Sequence, residues 1–179
     1  MNRSTALQKL TEWDKQGRYV FTLADLSKIF AQDNPKTLQA GLNRLVKEGI
    51  LARPVRGVYL FNLAHSRDSY AIEHIARALR RGEYNYVSLE SALSEYGIIS
   101  QIPLDRLTVM TTGRKGTYPT PFGTIEFTHT KRQQQDILAG MVPTNRPLKI
   151  ATPECALRDL KRVGRNVHLV NEKALLNDE

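Results

Sequence analysis

Lys36, Thr37, Gln39, Asn43, Arg44 and Lys47 all fall within the sixteen residues NPKTLQAGLNRLVKEG (34–49). Lys36, Gln39, Asn43 and Lys47 recur at intervals of three and four, which on a helix gathers them on one face. No acid interrupts that face until Glu48. Amide side chains match the donor and acceptor pair on adenine, cations suit the acceptors of guanine, and guanidinium or ammonium groups hold phosphates. Lys36, Gln39 and Asn43 are therefore candidate base readers, with Thr37 beside them, and Arg44 and Lys47 candidate phosphate contacts. Arg53 and Arg56 follow a few residues later and extend the cationic set.

Other residue types that could support chemistry have ordinary explanations. The histidines His65, His74, His129 and His168 are dispersed, and the single cysteine is Cys155, so no zinc-ligand spacing is present. Ser88 and Ser91 stand where a helix would start, which favours capping over nucleophilic catalysis, and no G-x-S-x-G elbow occurs. Gly113-Arg-Lys-Gly116 lacks the spacing of a phosphate loop and reads as a turn. Glu90, Glu95, Glu154 and Asp159 form no metal-binding pattern. Cys155 falls in the first turn of an expected helix, where the dipole would lower a thiol pKa, although a buried structural cysteine is the commoner outcome. The expectation is a chain with no catalytic group, no cofactor and no metal.

Bulk properties agree with a polyanion partner. The 179 residues carry 26 Lys+Arg against 18 Asp+Glu, a net charge of +8 and a pI of about 9.7. Residues 1–61 hold ten basic and five acidic residues, residues 62–130 seven of each, and residues 131–179 nine and six. The largest excess thus coincides with the candidate contact residues, where counterion release strengthens phosphate binding. No apolar run approaches the ~20 residues that span a bilayer, and the first residues have no apolar core of a signal peptide. A cytoplasmic protein without an internal disulfide framework is expected.

These side chains need a rigid support. Asn34 is a natural N-cap, Pro35 suits the first helical position and Gly49 the stop. Leu38, Leu42, Leu45 and Val46 recur at i, i+4, i+7 and i+8 as one buried stripe. Upstream, Ser4 could cap a helix that turns Ala6, Leu10 and Trp13 inward and stops at Gly17. Tyr19–Phe21 is β-prone. Thr22-x-x-Asp25 is a capping-box variant opening a second helix, with Leu23, Leu26 and Phe30 inward. Downstream, residues 50–53 and 58–61 flank Pro54-Val-Arg-Gly57 as a hairpin. Helices followed by a basic hairpin make a winged helix-turn-helix over residues 1–61, in which the second helix of the motif enters the major groove. The rival reading is a three-helix bundle with a solvated basic face.

Residues 62–69, NLAHSRDS, read as a linker, and residues 70–179 as a second, mixed domain, so that the whole chain is α+β. Expected there are a helix carrying Ile72, Ile75, Ala76 and Leu79 and a β-prone run over 84–87. A helix capped by Ser88 and strands over 107–112 and 148–151 follow. The strand over 124–130 has Ile125, Phe127 and His129 alternating against Glu126 and Thr128. A last helix opens at Thr152-Pro153, and residues 164–179 form a loosely held tail.

Tyr86-Val-Ser-Leu-Glu-Ser-Ala-Leu93 with Tyr96-Gly97, Thr120-Pro-Phe-Gly-Thr124 and Ala151-Thr-Pro-Glu-Cys-Ala-Leu-Arg-Asp159 carry a resemblance. The chain resembles a compact member of the AbiEi-type antitoxins of bacterial abortive-infection systems, which place a winged helix ahead of such segments. That resemblance implies a repressor of its own toxin–antitoxin operon, bound to double-stranded promoter DNA at inverted repeats. It also implies an antitoxin of the type IV class that counteracts a nucleotidyltransferase-like toxin, directly or indirectly. Without coiled-coil heptads, the chain is expected to be a monomer or weak dimer that pairs on DNA. Two other classes stay open: a winged-helix transcription factor whose second domain senses a ligand or partner, and an enzyme acting on nucleic acid.

Overall fold

The computed structural model describes residues 1–100 and 105–176, and the chain divides into two compact units, Met1–Leu79 and Arg80–Glu179. The expected second domain thus includes two short stretches, 101–104 and 177–179, that lie outside the described residues.

The first unit starts with α1 (Arg3–Asp14), capped by Asn2, whose Oδ1 accepts the Thr5 N–H at 2.8 Å. Ser4, the expected cap, lies inside the helix. β1 (Val20–Thr22) runs directly into α2 (Leu23–Ile29). The Thr22 hydroxyl accepts the Asp25 N–H at 3.1 Å and the Asp25 carboxylate accepts the Thr22 N–H at 2.8 Å, so both halves of the capping box form. Leu26 and Phe30 are buried as expected, whereas Leu23, in the first turn of α2, is exposed. Helix α3 (Pro35–Lys47) begins where Asn34 Oδ1 accepts the Thr37 N–H at 2.9 Å.

Leu38, Leu42 and Leu45 carry α3 into the core, with Val46 at its edge. Leu42 is fully buried, so Leu42→Ala is expected to cost about 2–5 kcal/mol of stability, read as a lowered denaturant midpoint with an unchanged m-value. Strands β2 (Leu51–Val55) and β3 (Val58–Phe61) form the hairpin, and the sheet order is β1-β3-β2. One extra residue sits in β2 between Ala52 and Val55, where Pro54 cannot supply a ladder N–H. Arg56 and Gly57 make the two-residue turn, and Gly57 takes φ +82°, a conformation that L side chains rarely adopt.

The first unit continues through the expected linker. Asp14, buried at the end of α1, accepts the His65 N–H at 2.8 Å, the Ser66 N–H at 3.0 Å and the Ser66 hydroxyl at 2.5 Å. Asp68 accepts the Tyr19 hydroxyl at 2.8 Å and contacts His74 Nε2 at 3.2 Å. Helix α4 (Ala71–Leu79) packs on β1 and β3, with the His74 ring 4.9 Å from that of Tyr19. The polar composition of residues 62–69 reflects anchoring bonds to α1 and to Tyr19 just ahead of β1, and the helix that follows shares the core of the winged helix. These partners lie about fifty residues away along the chain, so local composition does not reveal them.

Burial pushes the Asp14 carboxyl up, but donation from Ser66 and His65 outweighs it and holds the group below its ordinary value. A depressed carboxyl stabilises the fold above the unfolded-state pKa and loses that contribution as pH falls through the lower folded-state value. Asp14→Asn is therefore expected to lower the melting temperature at pH 7, and the difference from the parent shrinks below about pH 4. A difference that stays constant from pH 7 to pH 3 contradicts the assignment.

The second unit is built on a six-stranded sheet of order β6-β7-β5-β4-β9-β8. Its elements are β4 (Asn85–Val87), α5 (Leu89–Glu95), β5 (Arg106–Thr111), β6 (Gly116–Thr120) and β7 (Gly123–His129). Then follow α6 (Gln134–Ala139), β8 (Met141–Val142), β9 (Lys149–Ala151) and α7 (Pro153–Val163). A 3-10 turn (Val167–Leu169) and α8 (Glu172–Leu175) complete it. Strands β4 and β9 pair in parallel, as do β5 and β7, while α5 packs against α7 and β5. The chain is α+β, as its segment pattern implies.

Several local expectations for this unit change. Ser88 precedes α5 but makes no capping bond, because its hydroxyl is buried and donates to Asp159 at 2.7 Å. Ser91 likewise serves the tertiary structure, its hydroxyl accepting the Thr108 N–H at 2.9 Å. In β7, His129 is exposed and Glu126 buried, the reverse of the alternation expected at those positions. Glu126 is drawn in by ion pairs with Arg106 and Arg165. β6, α6 and β8 carry no clear periodic signal because each is at most six residues long.

Residues 164–176 are structured rather than loosely held. Arg165 and Asn166 donate to the Glu90 carboxylate at 2.7 and 2.9 Å, and Val170 bridges to Ile99.

Candidate nucleic-acid interface

Helix α3 presents the expected residues on one surface. Lys36, Thr37, Asn43, Arg44 and Lys47 are exposed, and Gln39 is half-buried at the side that approaches the hairpin. The buried leucines fix this rotation, since their stripe can face only the core of the first unit. Thr37 serves in the first turn, its N–H bound by Asn34, which leaves its hydroxyl exposed. Arg44 lies on the opposite flank from Gln39 and donates to the Met1 carbonyl at 2.8 Å. It is thus partly committed within the first unit, unlike Lys36 and Lys47, which have no ion-pair partner among the described residues.

The two amides are coupled. Gln39 Nε2 donates to Asn43 Oδ1 at 3.0 Å and lies 3.5 Å from the hydroxyl of Tyr59 on β3. The guanidinium of Arg53 stands 5.8 Å over the ring of the same tyrosine. Tyr59 is buried, and it therefore ties the helix amides to the first cation of the hairpin. No spacing rule points to Tyr59, because an inward aromatic on a short strand reads as core and its partner is twenty residues away. Arg56 is exposed at the hairpin tip, where the Gly57 carbonyl accepts the Leu23 N–H at 2.9 Å and pins the turn to the start of α2.

Helix α2, the first helix of the motif, is held by charge. Arg18 pairs with Asp25 at 2.7 Å and stacks on Trp13 and Phe21, with centroid distances of 5.3 and 5.4 Å. The arrangement of β1, α2, α3 and the β2-β3 hairpin around α1 is that of a winged helix-turn-helix. Its surface helix offers one cationic and amide-bearing face and its hairpin adds two guanidinium groups.

Residues 8–62 match the family described as transcriptional regulator, AbiEi antitoxin. That match covers the second half of α1, helices α2 and α3, the hairpin and every candidate contact residue from Lys36 to Arg56. No curated protein matches the chain. Among solved structures, the RV2827C protein from Mycobacterium tuberculosis is similar in fold, with a TM-score of 0.58 at 16% identity. The likeness covers 88% of this chain and 60% of that one, so the present chain spans less than two thirds of that protein's length. The segments 86–93, 120–124 and 151–159 of the second unit lie outside residues 8–62.

Two of these segments meet in a buried polar cluster. Asp159 on α7, fully buried, accepts the Ser88 hydroxyl at 2.7 Å and the Tyr86 hydroxyl at 3.1 Å. Its other oxygen has no aligned hydrogen bond and is held by the charge of Arg132 at 2.7 Å. Cys155, also buried, lies against the same arginine at 3.7 Å. Burial and then the charge of Asp159 push the Cys155 thiol up, opposite to the lowering expected from the helix dipole. Burial and Asp159 also push the Tyr86 phenol well above its ordinary value. The Ser88 hydroxyl is buried and committed to a carboxylate that is itself paired with Arg132. Among the described residues no cluster of His, Cys, Asp and Glu could hold a metal ion, and no helix is long and apolar enough to cross a membrane.

Proposed function

We propose that the chain is a DNA-binding transcriptional regulator that represses the promoter of its own operon. Its second unit, in this reading, counteracts a nucleotidyltransferase-like toxin. The observation that carries the DNA-binding half is the coincidence of the regulator-family match with one surface on which α3 and the hairpin converge. Asn43 and Gln39 face base edges, Lys36 reaches guanine acceptors, and Lys47, Arg53 and Arg56 hold phosphates and set the register. Thr37 and Arg44 border that surface. Inverted repeats would recruit two copies with half-sites about one helical turn apart.

The deciding experiment titrates the full chain onto the DNA upstream of its own gene and onto a scrambled duplex of equal length. Preferential binding upstream supports the reading; equal affinity for both at physiological salt overturns it. Asn43→Ala is expected to weaken the preferred site by about 1–3 kcal/mol while leaving the scrambled duplex nearly unchanged. Equal losses on the two duplexes would remove Asn43 from base reading. The antitoxin half is tested by co-expression with the neighbouring toxin gene. Growth rescued by the chain supports it, and growth arrest despite full expression of the chain overturns it.

A further inference from the structure

We infer that Gln39 is an acceptor-only reader, held in that state by Tyr59, and that it selects an exocyclic amino group. Its target is the N6 amine of adenine or the N4 amine of cytosine, to the exclusion of a keto oxygen. The inference rests on the reading of α3 as the groove-entering helix and specifies what that helix recognises.

A primary amide ordinarily offers two N–H donors and a carbonyl acceptor, and can satisfy either kind of base edge by rotating. Gln39 cannot rotate freely. One N–H of its Nε2 is given to Asn43 Oδ1 at 3.0 Å and the other is directed at the Tyr59 hydroxyl at 3.5 Å. The atom that remains is Gln39 Oε1, an acceptor with no hydrogen-bond partner among the described residues. Asn43, whose Oδ1 is occupied by Gln39, keeps both of its N–H groups, and it is exposed. The pair therefore presents one acceptor next to a donor. In the major groove, acceptors are offered by guanine N7 and O6, adenine N7 and thymine O4, whereas donors come only from the adenine and cytosine amines. Oε1 needs one of those two amines, and Asn43 Nδ2 can bind the neighbouring acceptor, adenine N7 in one case and guanine O6 of the same pair in the other.

Tyr59 makes the device work because it is fixed from every side. It is buried, it stands in register opposite Phe21 in the β1–β3 ladder, and the Arg53 guanidinium covers its ring. Its hydroxyl is a rigid acceptor on which the Gln39 amide is oriented, which makes Tyr59 a positioning residue. For Gln39 this geometry rules out the picture in which one amide reads an adenine with its own donor and acceptor, because both of its N–H groups are directed within the protein.

The test starts from sites selected out of a random duplex library by the full chain. At each selected adenine, the base is replaced by hypoxanthine, which exchanges the 6-amine for a keto oxygen, or by 2,6-diaminopurine, which keeps the amine. At each selected cytosine the corresponding exchange is to uracil. At one position per half-site, the amine-to-keto exchange is expected to weaken binding by about tenfold or more, while diaminopurine is tolerated. Whether that position is a purine or a pyrimidine tells adenine from cytosine. Gln39→Ala should abolish the amine-to-keto difference. Tyr59→Phe, which keeps the ring and its packing, should reduce it several-fold without altering the salt dependence of binding. If selected sites exist but no position shows an amine preference that Gln39→Ala removes, or if Tyr59→Phe leaves the preference intact, the inference falls and DNA binding by α3 stands. If the library yields no preferred site, the reading of α3 falls with it.

Discussion

Arg132→Ala is expected to destabilise the second unit by about 3–5 kcal/mol, because it leaves a buried carboxylate without its counter-charge. Asp159 is fully buried, and the two hydroxyls that donate to it, from Ser88 and Tyr86, share one of its oxygens. Arg132, 2.7 Å from the other oxygen, supplies the counter-charge of this buried group. Its loss leaves Asp159 buried without a charged partner, and that desolvation cost appears in the folding free energy. The measurement is denaturant unfolding of the full chain followed by a probe in the second unit. A control separates charge from packing. Removing both charges while keeping an acceptor for the two hydroxyls, Arg132→Met with Asp159→Asn, should cost less than Arg132→Ala alone. A single mutant within about 1 kcal/mol of the parent would show that Asp159 is not held by this arginine.

The second large effect concerns DNA. Lys47, Arg53 and Arg56 are exposed on the helix and hairpin that bound one surface of the first unit. Changing all three to Gln should flatten the slope of log K against log salt concentration by about 0.9 for each phosphate no longer neutralised, or about 2.7 in total. For Lys47→Gln and Arg56→Gln, specific and random duplexes should weaken together, because phosphate contacts carry no sequence information. Thermal stability should stay close to that of the parent, since no core leucine is touched. The wing residues can be separated from Lys47 by testing Arg53→Gln and Arg56→Gln alone. A salt slope unchanged in both would take the hairpin out of the interface while leaving α3 in place.

Arg53 has a further role in the protein itself, over the ring of Tyr59, so its removal also loosens the hydroxyl that orients Gln39. A loss of sequence discrimination in Arg53→Gln beyond that in Arg56→Gln is the expected mark of this coupling. Arg44 should contribute less than its charge suggests, because part of its guanidinium is bound to the Met1 carbonyl.

The helix over Pro35–Lys47 was legible from the sequence because its determinants are local. Asn34, Pro35 and Gly49 mark the ends, and three leucines define the buried stripe, so the exposed face follows by exclusion. The capping box at Thr22 and Asp25 and the hairpin turn at Gly57 are local in the same way. Ser4 and Ser88 show the limit of such reasoning. Each stands at a plausible helix start, yet Asn2 caps α1 better placed by two residues, and Asp159 captures the Ser88 hydroxyl across seventy-one positions of chain.

The amino-acid sequence by itself determined the cationic helix, its caps, the basic hairpin and the α+β class of the chain, because periodicity, charge and turn chemistry act over one or two turns of backbone. Only the tertiary structure decided that residues 62–69 anchor to α1 and that α4 completes the first unit. It alone joined Tyr86 and Ser88 to Asp159 and gave Gln39 a fixed polarity through Tyr59. The physical reason is common to all of these. Buried polar groups are satisfied by whatever partner the packed core brings within about 3 Å, and that partner's position in the sequence leaves no local trace.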